Sequence, residues 1–166
     1  MERLRGEYVN LVQDQGAAAL RREGGPEHIT ASCFIFSPDL QHTLLCFHRK
    51  GRFWVQTGGH VESVDTSVAA AALREAQEEA GIAGISLVPE LLDLDRHRLG
   101  AGFGPCRAHW DIGFAALAGT EELPRASEES EQVGWFPLDH LPAPLAGSVD
   151  IRLHQLRSAL SALSAT

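Results

Sequence analysis

Residues 58–82, GGHVESVDTSVAAAALREAQEEAGI, contain the pattern that decides the fold. The alanine-rich part predicts a helix over residues 66–80, and Gly81 is a natural residue at the end of a helix. Asp65 or Thr66 would cap its N-terminus. One set of positions on this helix is apolar and can pack on a sheet: Ala69, Leu73, Ala76 and Ala80.

Three glutamates share another face of this helix. At 100° per residue, Glu75, Glu78 and Glu79 project from the same side. They repel one another, and they lie near the helix C-terminus, where the macrodipole disfavours negative charge. A bound divalent cation would explain the cluster, because hard oxygen ligands suit Mg²⁺ or Mn²⁺. A solvated acidic face is the alternative, in which Arg74 pairs with Glu78 one turn later.

The residues around the helix resemble the Nudix (MutT-like) signature. That signature is glycine, five residues, glutamate, seven residues, then Arg-Glu-apolar-x-Glu-Glu-x-Gly-apolar. Gly59 matches the leading glycine, and residues 74–82, REAQEEAGI, match the second half without a gap. One additional residue precedes Arg74, so the first glutamate falls at Asp65 counted forwards and at Thr66 counted backwards. We favour Asp65, because it retains a carboxylate.

The resemblance implies an α/β fold, the Nudix α/β/α sandwich with a mixed β-sheet between helices, as a single domain over residues 1–166. It implies Mg²⁺-dependent (or Mn²⁺-dependent) hydrolysis of a diphosphate linkage in a nucleoside diphosphate derivative, by water attack at phosphorus. Carried over, the metal ligands are Glu75, Glu78, Glu79 and the backbone carbonyl of Gly59. Arg74 would orient a glutamate, and Glu75 is one candidate for the general base.

A second candidate for the base or for a further metal ligand comes from a later acidic loop, residues 127–131 (SEESE). Some relatives place a glutamate at about the position of Glu129. Glu128 and Glu131 are near enough to take the same role. A solvated acidic loop explains all three equally simply.

Candidate substrate-binding residues surround the glycines. Gly58, Gly59, His60 and Glu62 are expected on a short strand that leads to the helix, where a side chain could face the substrate. Arg49 lies in a basic turn and could contact phosphates, although a solvated turn explains it too.

Three further polar residues, His97, His109 and Asp111, lie in or beside the two strands expected after the motif. Isolated histidines are more often structural than metal-binding. These do not have the spacing of a metal site on a single element. The sequence assigns them no role.

The rest of the chain predicts a pattern of strands and two more helices. A first helix over about residues 2–22 packs on the domain or supports a homodimer, and a last helix runs from about 148 to 163. Strands are predicted over residues 29–36, 43–48, 53–57, 85–95, 108–118 and 133–136.

The composition narrows the class of protein. The 166 residues carry a formal net charge of −8 without a basic stripe, which argues against nonspecific nucleic-acid binding. We expect a cytoplasmic protein, because no signal peptide or run of about 18 apolar residues is present. Cys33, Cys46 and Cys106 form no CxxC pair, and two of them lie in apolar runs, which predicts buried free thiols.

Three other functions remain open at this stage. A non-catalytic Nudix-fold module could bind nucleotides or act as a regulator, although the intact glutamates argue against it. An isomerase of isoprenoid diphosphates would need a catalytic cysteine, and none is close to the motif in sequence. A structural protein could use its first helix to dimerise.

Overall fold

A computed structural model describes residues 2–90, 93–100, 106–128 and 130–164. Within these ranges, three α-helices flank a sheet: α1 (Glu2–Gln15), α2 (Val68–Ala80) and α3 (Val149–Leu163). A 3-10 helix over Gly16–Leu20 follows α1. The strands are β1 (Glu27–Phe36), β2 (His42–His48), β3 (Phe53–Val55), β4 (Thr57–His60), β5 (Ser86–Leu87), β6 (Asp93–Arg98), β7 (Ala108–Leu117) and β8 (Ser130–Pro137).

The sheet is mixed, with β1 at its centre. β1 runs parallel to β7 and antiparallel to β2 and β4. β7 also pairs with β5 and β6, and β2 pairs with β3 and β8. β4 pairs with residues 30–33 of β1, whereas β2 pairs with Ile35 and Phe36 farther along the same strand.

Alternate residues of β1 face opposite layers of helices. Ala31, Cys33 and Ile35 pack in one apolar cluster with the buried alanines of α2. Phe34 and Phe36 point to the other face and pack with the leucine stripe of α3. This arrangement confirms the expected mixed sheet between helices.

A third apolar cluster attaches the N-terminal segment to the sheet. Tyr8 of α1 and Ala19 of the 3-10 helix pack with Ile29 and Trp110. The Tyr8 hydroxyl donates to the backbone carbonyl oxygens of Asp95 and Asp111, at 2.7 and 2.8 Å. Burial, together with the nearby Asp111, raises the pKa of Tyr8, so its hydroxyl stays protonated as a donor.

Two predicted helix boundaries were wrong. The helix expected over residues 2–22 ends at Gln15, because Gly16 takes a φ of +57° and a 3-10 helix follows. The helix expected over residues 66–80 begins at Val68, and Ser67 is its cap, with its hydroxyl accepting from the Ala70 N–H. Neither Asp65 nor Thr66 caps it.

Two predicted strands are each divided in the structure. The strand expected over residues 53–57 ends at Val55, because β3 pairs with β2 while β4 begins at Thr57 and pairs with β1. The strand expected over residues 85–95 is replaced by β5 and β6, which pair with different parts of β7.

Cys33 and Cys46 are buried free thiols, as predicted, and Cys106 is half-buried. Burial raises the pKa of the Cys33 thiol to about 12 and also raises that of Cys46. No helix within the described residues has the length and apolar character needed to cross a membrane.

Candidate active site

The two glycines of β4 lie where a side chain has no room. A Cβ on Gly59 would overlap the Glu75 carboxylate. A Cβ on Gly58 would lie 2.7 Å from the carbonyl oxygen of Ala31 and from the hydroxyl oxygen of Ser32. Gly59 therefore allows the backbone of β4 to lie against Glu75 of α2, and Gly58 allows β4 to pack closely on β1.

Arg74 organises the acidic residues on this side of the helix. Its Nε and Nη2 donate to the two carboxylate oxygens of Asp65, at 3.0 and 2.9 Å. Its Nη1 donates to Glu75 at 3.0 Å and to Glu78 at 3.2 Å, which confirms the Arg74–Glu78 pair. Nη2 also donates to the His60 carbonyl oxygen at 3.0 Å, linking α2 to β4.

This network shifts the pKa values of Asp65 and Arg74. The hydrogen bonds from Arg74 lower the pKa of the Asp65 carboxyl. The same hydrogen bonds, followed by those to Glu75, raise the pKa of Arg74. Both groups are therefore charged throughout the neutral pH range.

Glu79 occupies a different environment from Glu75 and Glu78. The Gly58 backbone N–H donates to its Oε2 at 2.8 Å. Glu75 and Glu78 instead share Nη1 of Arg74, and the Glu78 side chain is 60% exposed. The three carboxylates are thus neighbours on one helix face, as predicted, but they do not converge on one point in this arrangement.

The donor set nevertheless fits a hard divalent cation. Every side chain involved supplies carboxylate oxygens, and the Glu75 carboxylate lies directly against the backbone of Gly59. Glu79 faces the same glycine strand through Gly58. The predicted ligands Glu75 and Glu79 therefore both lie against the glycine strand, and Glu78 shares Nη1 of Arg74 with Glu75.

A pocket of about 430 Å³ opens beside the glycines. Gly58, Gly59 and Glu79 form part of its wall, so the acidic helix and the pocket meet. The remaining wall contributes more apolar than polar surface, and polar side chains from β1, β4, β6, β7 and α3 are set among apolar contacts. Its members include Thr30, Ser32, Gln56, His60, Asp95, His97, His109, Asp111 and Arg152, with Phe53 and Val55 as apolar contacts.

A buried ion-pair network supports the pocket. Arg152 of α3 donates from Nε to Asp93 at 2.8 Å and from Nη2 to Asp111 at 2.7 Å. The other oxygen of Asp111 accepts from the hydroxyls of Thr30 and Ser32, at 3.0 and 2.8 Å. Both oxygens of Asp111 therefore have hydrogen-bond partners, and Arg152 offsets part of the negative charge of the two buried carboxylates.

The pKa shifts of this network follow from burial and from neighbouring charge. Burial raises the pKa of Asp93, and Arg152 only partly offsets this effect. Burial by itself would lower the pKa of Arg152, but Asp111 and Asp93 outweigh it and the pKa is raised. His97 lowers the pKa of Asp95 through a hydrogen bond of 2.9 Å.

Gln56 is a nearly buried residue of the pocket wall. Its side-chain nitrogen donates to the Ser32 hydroxyl at 3.0 Å, and the residue is only 8% exposed. Its Oε1 has no hydrogen-bond partner among the described residues. A buried acceptor of this kind suits an O–H or N–H of a bound ligand.

Four histidines lie close together because of strand register, and three of them, His60, His97 and His109, line the pocket. His109 lies opposite His28 in the β1–β7 pair and opposite His97 in the β6–β7 pair. His60 pairs with Thr30, two residues from His28. The ring centroid of His28 lies 5.0 Å from that of His60 and 5.1 Å from that of His109. The ring centroids of His97 and His109 are 5.5 Å apart.

Three of these imidazoles are held in the neutral form. Burial, and then the neighbouring His28, lowers the pKa of His60 to about 4. Burial, followed by the charges of His97 and His60, lowers that of His109 to about 3. Burial also lowers the pKa of His28.

Some predicted residues lie away from the pocket. Arg49 is exposed in the turn between β2 and β3, outside the pocket wall. Glu62 is exposed beyond the end of β4, so the expectation that it belongs to this strand was wrong. Glu131 pairs with Arg52 at the surface, at 2.6 Å. Glu129 lies outside the described residues.

The sequence analysis did not single out His28, Gln56, Asp93 or Arg152. A signal for the first was present, since polar residues alternate along β1 at positions 28, 30 and 32. Polar residues also stand at positions 93 and 95 around Leu94, and at 109 and 111 around Trp110. Such alternation predicts that one face of each strand is polar.

Comparison with known proteins gives the family. The NUDIX domain family matches residues 26–156 of the chain. A MutT NUDIX hydrolase from Burkholderia pseudomallei is 28% identical, over 78% of this chain and 98% of that chain, with a TM-score of 0.58. The comparison with curated proteins gave no match.

Two more distant structures share the fold. The E. coli dihydroneopterin triphosphate pyrophosphohydrolase is 17% identical, over 79% of this chain and 95% of that chain, with a TM-score of 0.66. The NUDIX domain of Shewanella oneidensis NrtR, solved with ADP ribose, is 18% identical, over 92% and 97%, with a TM-score of 0.63. Because the family match spans most of the chain, this protein belongs to the NUDIX domain family, the family of the Nudix hydrolases.

Proposed function

We propose that this protein hydrolyses a diphosphate linkage in a nucleotide-like substrate, with Mg²⁺ or Mn²⁺ as cofactor. The observation that carries the proposal is the position of Glu79, Gly58 and Gly59, which form one wall of the 430 Å³ pocket. A substrate in this pocket would place its phosphates against the acidic face of α2. Since the chain is acidic overall, a cation is needed there to offset repulsion between phosphates and carboxylates.

The residues proposed to hold the metal are Glu75, Glu78, Glu79 and the carbonyl of Gly59. When bound, a divalent ion polarises the phosphoryl oxygens and lowers the pKa of a coordinated water, which can then attack phosphorus. Arg74 acts as a positioning residue, because its Nη1 holds both Glu75 and Glu78. Asp65 in turn fixes Arg74 from the other side.

The pocket supports a nucleotide-like substrate rather than a bare diphosphate. Its volume of about 430 Å³ extends well beyond the acidic helix, to the histidines and to Phe53. The buried Oε1 of Gln56 could accept a hydrogen bond from an N–H or O–H group of the substrate. The NrtR domain, with the same fold, was solved with ADP ribose, which is a nucleoside diphosphate derivative.

The alternative proposal is a module that binds such a nucleotide without turnover. The pocket wall would suit a binding module and a hydrolase equally. The acidic residues of α2 are therefore what distinguishes the two functions. A module without turnover has no need of three carboxylates beside the phosphates. An isomerase of the cysteine type is disfavoured, because Cys46, which contacts the Glu79 carbonyl oxygen at 3.9 Å, is buried with a raised pKa.

The direct experiment is a turnover assay with a panel of diphosphate compounds, with and without Mg²⁺. The panel contains nucleoside triphosphates, dinucleoside polyphosphates, sugar nucleotides and coenzyme diphosphates. We expect at least one class to be cleaved only with Mg²⁺, and Glu78→Gln to lose at least about a hundredfold in rate. Glu2→Gln, an exposed change in α1, is the matched control and stays at the parent rate.

Two results would contradict the proposal. One is saturable binding of a nucleotide with no turnover of any member of the panel, which favours the module. The other is a Glu78→Gln variant as active as the parent, which removes the acidic helix from the chemistry.

A further inference from the structure

We propose that His28, His60 and His109 form a binding site for a divalent transition metal of the zinc type, distinct from the glutamates of α2. The three side chains come from β1, β4 and β7, and those of His60 and His109 also line the pocket. The proposal does not depend on diphosphate hydrolysis, since it concerns a separate donor set.

The geometry of the histidines is the first argument. One ligand atom from each of the three residues lies within 4.8 Å of the other two. Tetrahedral zinc with Zn–N bonds of about 2.05 Å separates two nitrogens by about 3.3 Å. Small rotations of the imidazoles therefore suffice to close the site. Among the described residues, no other group of three His, Cys, Asp or Glu side chains brings its ligand atoms this close together.

The second argument is an unpartnered nitrogen deep in the protein. His28 is completely buried, and its Nε2 has no hydrogen-bond partner among the described residues. Its other ring nitrogen, Nδ1, lies 3.7 Å from the sulfur of Cys106. An orphaned nitrogen in a buried imidazole is costly unless something binds it. A metal ion bound by the adjacent histidines would satisfy it.

Charge around the cluster is compatible with this role. The three rings are buried or half-buried, an environment that disfavours the charged form, and the neutral ring is the form that binds a metal. Near His28, the positive charge of Arg22 is offset in part by the negative charge of Glu23. On the far side, His97 is fixed by Asp95 at 2.9 Å, and its ring lies 5.5 Å from that of His109. The Asp95 carboxylate thus offers nearby negative charge.

The donor chemistry selects the class of ion. Imidazole nitrogens suit Zn²⁺, Co²⁺, Ni²⁺ or Cu²⁺, whereas Mg²⁺ and Ca²⁺ prefer oxygen. Three histidines leave a fourth position for water or for an anionic oxygen of a ligand. Because His60 and His109 belong to the pocket wall, such a ligand would come from the pocket.

Isothermal titration of Zn²⁺ into the tag-free full chain, with Mg²⁺ in large excess, tests the site. We expect one Zn²⁺ per chain, and binding at least about a hundredfold weaker in His60→Gln and in His109→Gln. Two controls retain parent affinity. His140→Gln changes a histidine that is 87% exposed, and Glu78→Gln changes the acidic helix.

Co²⁺ provides a readout that does not depend on any variant. In the unmodified protein we expect the visible absorption of tetrahedral cobalt and an X-ray absorption spectrum with three nitrogen neighbours. Far-ultraviolet circular dichroism checks that the variants fold. If His60→Gln does not fold, the cobalt spectra of the parent decide the question alone.

Three outcomes would overturn the proposal. The first is no Zn²⁺ binding to the parent chain. The second is Zn²⁺ binding that Glu78→Gln abolishes while both histidine variants retain it, which assigns the ion to the acidic helix. The third is a cobalt spectrum of six-coordinate, oxygen-rich type.

Discussion

Arg74 holds the carboxylate of Asp65 with two hydrogen bonds, from Nε to Oδ1 at 3.0 Å and from Nη2 to Oδ2 at 2.9 Å. The Asp65 side chain is 4% exposed and that of Arg74 is 19% exposed, so this ion pair is shielded from water. Asp65 precedes the first residue of α2, so the loop rather than helical spacing sets its position. The additional residue in the motif is accommodated there, and a carboxylate still reaches Arg74.

Replacing Asp65 by asparagine removes this ion pair. We predict a loss of about 1–3 kcal/mol in the free energy of unfolding at pH 7, typical of charged hydrogen bonds. Activity also falls, because Arg74 is no longer fixed against Glu75 and Glu78. Urea denaturation and steady-state kinetics measure the two effects.

The stabilisation by Asp65 depends on pH in a defined direction. Its pKa is lowered in the folded protein, so the contribution is complete above the unfolded value of about 4. It is lost as the pH falls through the lower, folded pKa. Denaturation curves from pH 7 to pH 2.5 check this, and a gap between parent and Asp65→Asn that stays constant at all pH values would refute it.

A methyl group at Gly59 would displace the Glu75 carboxylate. We predict that Gly59→Ala lowers kcat by at least about tenfold, because misplaced catalytic groups cost rate steeply. Gly6→Ala is the matched control: Gly6 lies in α1 with nothing within 4 Å of the added atom. That variant keeps its activity and gains up to about 1 kcal/mol in stability. Equal kcat in Gly59→Ala and the parent would argue against close packing of the glycine strand on Glu75.

Asp93→Ala leaves Arg152 with an incomplete set of partners inside the protein. Arg152 is 6% exposed and lines the pocket, and Asp111 still accepts from its Nη2. We predict a loss of about 1–3 kcal/mol in the free energy of unfolding, typical of a lost hydrogen bond to a charged group. Asp139→Ala, at a side chain that is 86% exposed, is the control and changes stability by less than about 0.5 kcal/mol. Thermal and urea denaturation measure both variants. Equal free energies of unfolding for Asp93→Ala and Asp139→Ala would contradict a stabilising role for the Asp93–Arg152 pair.

Gln56 supplies the test of ligand recognition by the pocket. Gln56→Met removes the buried Oε1 acceptor while keeping the length of the side chain. We predict that KM rises about two- to tenfold with little change in kcat, as expected for one lost hydrogen bond in binding. An unchanged KM would mean that the ligand does not reach this atom.

The sequence predicted the acidic helix well because its information is local. The spacing of Glu75, Glu78 and Glu79 follows from helical geometry alone, and Gly81 ends α2 with the expected left-handed backbone, at φ +63°. Helix and strand boundaries were less accurate where pairing partners decide them. The division at Gln56 is an example, since β3 and β4 pair with different strands.

The remainder of the site depends on which strands pair and in which register, and the sequence alone does not predict this. His28 and His109 are 81 positions apart and meet only because β1 and β7 pair in parallel with these residues opposite each other. The same holds for Arg152, which reaches Asp93 and Asp111 from α3, an element far from both strands in sequence. Alternating polar residues signal a polar face of a strand, but not which strands lie side by side.

Anomalous diffraction from crystals soaked in MnCl₂ tests the central claim most directly. We predict an anomalous peak within about 2.2 Å of carboxylate oxygens of the α2 glutamates, with the Gly59 carbonyl oxygen beside it. In that state Glu79 or Glu78 turns from its present partner, the Gly58 N–H or Arg74, towards the ion. Soaked crystals in which these glutamates keep their present partners, with no peak beside them, would contradict the account.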